Sequence, residues 1–167
     1  MTQPNLLSTI DDYQAAFESR YAEGRPSFFA VTGPLPLTGR TDTVLAATPA
    51  MTVILKGYAE SGENTLHAHT DEDHVFVVLQ GEANFHGPHG ELKTIGPLHG
   101  VMMPRGTFYR FRASPGQPLV MLRIGAAAVE GGNMFARIGI DGREMAGNSK
   151  ENQHEEPVLS GEFFGPR

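Results

Sequence analysis

Between residues 27 and 125 the chain is cut into short apolar segments by turn-forming residues, and no long helix-period run interrupts them. Segments this short suit strands rather than packed helices. Strands are predicted near 28–32, 43–47, 51–59, 65–69, 74–80, 82–86, 91–94, 101–103, 107–112 and 118–125. The breaks between them are Ser61-Gly62-Glu63-Asn64, Gln80-Gly81, Gly87-Pro88-His89-Gly90, Gly96-Pro97, Pro104-Arg105-Gly106 and Ser114-Pro115-Gly116. Many short strands at this spacing close into a barrel or stack as a sandwich. The expected fold class is therefore all-β, and 20 Gly and 12 Pro in 167 residues agree with a chain of strands and turns.

Outside that region the pattern changes. Ser8-Thr9-Ile10-Asp11 reads as a helix cap, with Asp in place of the usual Glu or Gln. Ile10, Tyr13, Ala16, Phe17 and Tyr21 follow at helical spacing until Gly24 and Pro26 stop the run, which predicts one helix on the outside of the domain. After residue 130 polar clusters and turn residues dominate, with apolar pairs only at Val158-Leu159 and Phe163-Phe164. The reading is one domain in three segments: a helical segment (1–26), a barrel (27–130) and a tail (131–167). The tail either wraps over the barrel or a partner subunit or stays partly disordered.

The chemistry is concentrated in one stretch. Side chains alternate across a strand, so His67 and His69 point the same way. A turn through Thr70-Asp71-Glu72-Asp73, read as solvated, returns the chain so that the next strand opens with His74, Phe76 and Val78 on one face. Three imidazoles converging in this way can share a divalent ion. Without cysteine there is neither a disulfide nor a thiolate ligand.

This stretch resembles the first motif of the cupin family, in which Gly, five residues, His-x-His, three or four residues, Glu, six residues and Gly follow in order. His67 and His69 match the pair, Gly81 matches the last glycine, and Gly62 sits one residue short. His74 falls where the family has glutamate, with Asp73 as its rival if the turn is shorter. The second motif runs Gly, five residues, Pro-x-Gly, two residues, His, three residues, Asn. Pro104-Arg105-Gly106 fits, but Tyr109 replaces the histidine, Ala113 the asparagine and Leu98 the first glycine. The resemblance spans roughly residues 45–125. It implies a double-stranded β-helix with an N-terminal helix and a C-terminal tail, one divalent ion held by His67, His69 and His74, and Tyr109 nearby. Tyr109 has three readings: phenolate ligand, acid/base residue or barrel filler. His86, His89 and His99 read as loop histidines, with His99 close enough in sequence to the second motif to substitute for the missing ligand.

The resemblance implies a metal-dependent enzyme acting on a small organic molecule. Non-haem iron dioxygenase-like chemistry leads, with Fe2+ favoured over Zn2+, Mn2+ and Ni2+. A non-redox isomerase, cyclase or lyase is the second reading, and a non-catalytic binding cupin the third. The cavity wall is expected from Phe76, Phe85, Met103 and Phe111, with Arg123 as a carboxylate anchor if it faces inward. Arg110 and Arg112 face out by alternation. Family members of this size imply a homodimer, in line with the need to cover strand edges. Net charge of -6 with scattered basic residues argues against nucleic acid. No apolar run approaches membrane-spanning length, and MTQPNLLSTIDDYQ lacks a basic region followed by an apolar core, so a cytoplasmic protein is expected.

Overall fold

The computed structural model describes residues 6–60 and 64–166. In chain order a helix, α1 (Ile10–Glu18), precedes β1 (Gly33–Thr38), β2 (Arg40–Thr48), β3 (Met51–Tyr58), β4 (His67–His69), β5 (Glu72–Gln80) and β6 (Ala83–Gly87). Then come β7 (Gly90–Ile95), β8 (Gly100–Met103), β9 (Arg110–Ala113), β10 (Leu119–Ala127) and β11 (Arg137–Gly139). A 3-10 turn (Lys150–Asn152) and β12 (Val158–Phe164) finish the chain. The five-stranded sheet β2-β3-β10-β5-β8 and the three-stranded sheet β7-β6-β9 are antiparallel, and β1-β12 and β11-β4 form two ribbons.

Strand alternation explains the interior. Along β5 every second residue from Glu72 to Val78 is buried. Phe76 and Val78 meet Phe85 of β6 and Phe111 of β9 in one core cluster, with the Phe76 ring 6.0 Å from Phe85 and 5.7 Å from Phe111. Each such side chain contributes about 1.5–3 kcal/mol on burial. The outer face of the large sheet is also covered, because the β1-β12 ribbon lays Leu35 and Phe164 against Leu45, Leu55 and Val120. Both faces of β3 are therefore buried, with Ile54 on one side and Leu55 on the other.

Two expectations need correction, and one open alternative is decided. No strand forms over 28–32: that run pairs with nothing regular, Phe28 is almost wholly exposed, and the strand begins at Gly33. The helix cap lies one residue later than predicted. Thr9 Oγ1 accepts from Asp12 N at 3.1 Å and Asp12 accepts from Thr9 N at 2.8 Å, so Asp12 takes the role assigned to Asp11. The tail is ordered on its own barrel: β11 pairs with β4, β12 with β1, and Asn152 is fully buried. Asn152 Oδ1 accepts from Thr65 N at 3.2 Å and its Nδ2 donates to Gly147 O at 2.8 Å. The helix α1 packs through Phe17 on Val44, Ala47 and Ile54.

Two motif positions show why their backbone is special. Gly81 has φ of 72°, and a Cβ there would come within 3.0 Å of Pro118 O. Leu98, at the place of the family's first glycine, also has positive φ, 64°, which costs a non-glycine residue about 1–2 kcal/mol. Gly62 lies outside the described residues.

Candidate metal centre

The strand β4 carries His67 and His69 with 1% and 5% exposure. Only three residues long, it is held on both edges. Arg137 and Gly139 of β11 stand opposite His69 and His67, and on the other side His67 exchanges two backbone hydrogen bonds with Tyr109 (3.1 and 2.9 Å). The next strand opens at Glu72, two residues earlier than predicted, so Glu72 shares the inward face with His74 and Phe76. Glu72 is 4% exposed, which corrects its reading as part of a solvated turn. Asp73 faces the other way and accepts from Arg105 N at 2.8 Å, tying down the Pro104-Arg105-Gly106 turn rather than joining the cluster. His99 is exposed, with Nδ1 3.1 Å from Pro97 O, and takes no part either.

The signal for Glu72 was strand parity carried one step back from His74. It was masked because a buried carboxylate is costly unless paired, and one of its partners, Arg123, lies fifty-one positions away.

His69, Glu72 and His74 present ligand atoms that all lie within 4.8 Å of one another. His74 Nε2 is 2.8 Å from Glu72 Oε2, and the His69 and His74 rings are 4.0 Å apart. Arg123 faces in: its Nη2 donates to Glu72 Oε2 at 2.7 Å and lies 2.6 Å from His74 Nε2. His67 stands beside this group rather than in it. Its Nδ1 lies 2.7 Å from Thr65 O; a carbonyl only accepts, so Nδ1 carries the proton and Nε2 keeps a lone pair. Tyr109 is buried, its Oη 3.3 Å from His74 Nδ1 and its ring 4.9 Å from His67.

Burial sets the protonation states. It pushes His67 down to about 3, helped by the Arg137 guanidinium. It pushes His69 well below the usual imidazole value, with His74 and Arg137 adding to the effect. Burial, then Arg123, brings His74 to about 4 against the opposing pull of Glu72. Tyr109 is pushed up to about 12 by burial. Burial also raises Glu72, but the His74 bond and the Arg123 charge outweigh it and hold the carboxyl below its usual value. The cluster thus offers neutral imidazoles and an ionised carboxylate, the forms in which these groups ligate.

These residues fit a divalent ion. His69 Nδ1 is buried without a hydrogen-bond partner, a cost that a ligated ion would remove. Glu72 Oε2 and His74 Nε2 stand 2.8 Å apart. Adjacent ligands at about 2.0–2.2 Å from one ion stand about 3 Å apart. Arg123 already serves as a cation at that spot, so an ion there shares Glu72 with it.

Of the other predicted wall residues, Phe76, Phe111 and Arg123 line the cavity beside the cluster, whereas Phe85 and Met103 lie in the core and not on the cavity surface. Arg110 is half-buried and Arg112 exposed, on the face opposite Tyr109 and Phe111. The sequence reading missed Arg40, Lys56 and Arg137, which line the same cavity.

No family model matches the chain, and no curated protein sequence matches it. Solved structures do. A double-stranded β-helix protein from Klebsiella pneumoniae superposes with a TM-score of 0.56 at 18% identity, covering 64% of this chain and 88% of that one. The fold is that of the cupins. A conserved protein from Streptococcus pyogenes, SPY1581, gives a TM-score of 0.50 at 14% identity, covering 57% and 81%. The cupin domain of Cnp3 from Schizosaccharomyces pombe gives 0.49 at 13% identity, covering 53% and 64%. At such identities the Klebsiella pneumoniae and Streptococcus pyogenes structures speak for the fold alone. Among the described residues no helix is long and apolar enough to cross a membrane.

Proposed function

We propose that this cupin is a metal-dependent enzyme acting on a small organic molecule, with non-haem iron(II) oxygenase-like chemistry. The observation that carries the reading is the donor set: two imidazoles and one carboxylate, His69, His74 and Glu72, grouped within 4.8 Å on neighbouring buried strands. Two histidines with one carboxylate are the set typical of non-haem iron(II) oxygenases. When bound, such an ion supplies Lewis acidity and redox chemistry with dioxygen at its open positions.

The chain's own residues do the rest. Glu72 offsets one unit of the ion's charge, and Arg123 fixes the carboxylate by its 2.7 Å bond. His67, with its proton held at Nδ1 by Thr65 O, turns Nε2 inward as a further ligand or a proton acceptor. Tyr109 stays protonated, since burial raises it to about 12, and its Oη is placed to donate a proton beside His74. Phe76 and Phe111 keep water from the reacting atoms. The homodimer is likewise a proposal, checked by light scattering; the cover for the sheet's outer face is supplied within the chain by β1-β12.

The test is elemental analysis of protein purified without added metal. We expect about one ion per chain, with iron prevailing and oxygen consumed on turnover, and loss of the ion in Glu72→Ala and His74→Ala. Retention of metal by both variants, or no metal in the wild type under any condition, overturns the reading. Zinc with full activity under anaerobic conditions replaces the oxygenase by a Lewis-acid lyase or isomerase.

A further inference from the structure

The cavity beside the cluster has more positive charge than the protein neutralises. Arg40, Lys56, Arg123 and Arg137 line it. Lys56 is satisfied by both oxygens of Asp42 at 2.6 Å, and Arg123 by Glu72 at 2.7 Å. Among the described residues, Arg40 and Arg137 have no carboxylate within ion-pair distance. In a chain of net charge -6 such a concentration is local.

Both guanidiniums are held in place by neutral groups. Arg40 Nη2 donates to Gly147 O and lies 3.4 Å from His154 Nδ1. Arg137 packs over the same Gly147, where a Cβ would come within 2.9–3.1 Å of its guanidinium. Cross-strand pairing sets Arg137 directly opposite His69, so its side chain shares that face of the ribbon. Its Nε is buried and makes no hydrogen bond. A buried N–H left unmade is costly, and a guanidinium's fork matches a carboxylate bidentately.

Ile54, Tyr58, Phe76 and Phe111 give the lining an apolar part. The cavity is about 140 Å³ in volume. An apolar cavity of about 150 Å³ elsewhere takes a benzene molecule.

We propose that this cavity binds a small organic carboxylate, its anionic head on Arg137 and Arg40 and its apolar body against Tyr58, Phe76 and Phe111. As a substrate assignment this rests on the metal-centred reading above; as a binding site it does not. Arg137 is the specificity residue: it is supplied by the tail, and it brings the head of the molecule next to His69.

The experiment is calorimetric titration of the full chain, as purified and after chelation, with benzoate, its uncharged isostere benzamide, and inorganic phosphate. We expect benzoate to bind in both preparations, at least tenfold tighter than benzamide, and Arg137→Gln to abolish that preference. Arg137→Lys, which keeps the charge and loses the fork, should retain part of it. Phosphate binding tighter than benzoate would reassign the arginines to a phosphate head and overturn the carboxylate. Equal binding of benzoate and benzamide by the wild type also overturns the proposal, whatever the folding of the variants. So does benzoate binding that vanishes on chelation but survives Arg137→Gln, an outcome that leaves the metal centre standing. Benzoate selectivity in a protein that holds no metal sinks the metal reading alone.

Discussion

The His69-Glu72-His74 cluster and the arginine pair beside it, the two ends of the site, are built on different principles. At one end His69, Glu72 and His74 project from the barrel wall, and their placement follows from alternation along β4 and β5. At the other end Arg40 and Arg137 come from a strand end and from the tail, and Gly147 holds them by a carbonyl and by the space of a missing side chain. The first end is neutral imidazole and carboxylate, suited to an ion. The second is unneutralised cation, suited to an anionic head. Here alternation along the wall sets the ligand directions, whereas Arg137 is brought in by the tail.

The comparison can be broken most sharply at Glu72. Removing it in Glu72→Ala leaves Arg123 and His74 without their buried partner. Loss of one member of a buried pair costs about 3–5 kcal/mol. We expect a matching fall in denaturant midpoint together with loss of bound metal, and an unchanged midpoint would show that the wall end is not electrostatically coupled.

Acid should dissolve the same end next. In the metal-free protein His67 and His74 titrate at about 3 and about 4 when folded, and His69 well below its usual value, but all near 6.5 when unfolded. Below pH 6.5 the unfolded chain therefore binds more protons, so stability falls as pH drops from about 6.5 towards 4. The loss is up to about 1.4 kcal/mol per pH unit for each imidazole. Thermal melts between pH 7.5 and 4.5 read this directly; a flat profile would mean that the imidazoles charge freely in the folded state.

At the tail end, Asn152→Ala removes two hydrogen bonds that dock the 3-10 turn onto Thr65 and Gly147. A cost of about 1–3 kcal/mol is expected. Faster proteolysis of residues 140–157 should accompany it, with metal content retained; if metal is lost as well, the two ends are not independent. The smallest effect is at Leu98. Leu98→Gly relieves a positive φ at an exposed site, offset by greater unfolded-chain freedom, and should change stability by no more than about 1 kcal/mol in the favourable direction. A clear destabilisation would show that the Leu98 side chain has a contact worth more than the strain.

Much of the barrel was legible in the sequence because turn residues and two-residue alternation are local properties. Phe76, Val78 and Phe111 face the interior as their parity requires, and so do His67, His69, His74 and Tyr109. The strand expected over 28–32 failed because Phe28 and Phe29 look like strand residues but no neighbouring segment pairs with them, while the proline-containing 33–38 finds β12. The tail stayed open between wrapping and partial disorder for a related reason. Its docking depends on Asn152 and on pairing with β4 and β1, and polar docking leaves little trace in hydrophobic pattern.

What the sequence determined by itself is the alternation: which side chains of each strand face inward, and hence that histidines two apart share a face. Tertiary structure alone decided which charges meet there. Glu72 becomes a buried carboxylate only because Arg123, fifty-one positions on and paired from β10 with Phe76, reaches it with its side chain, and Arg137 reaches the cavity only because β11 pairs with β4. A carboxylate or guanidinium is buried at a tolerable cost only when a partner or a ligand compensates its charge, and that compensation is fixed by the fold of the whole chain rather than by any stretch of it.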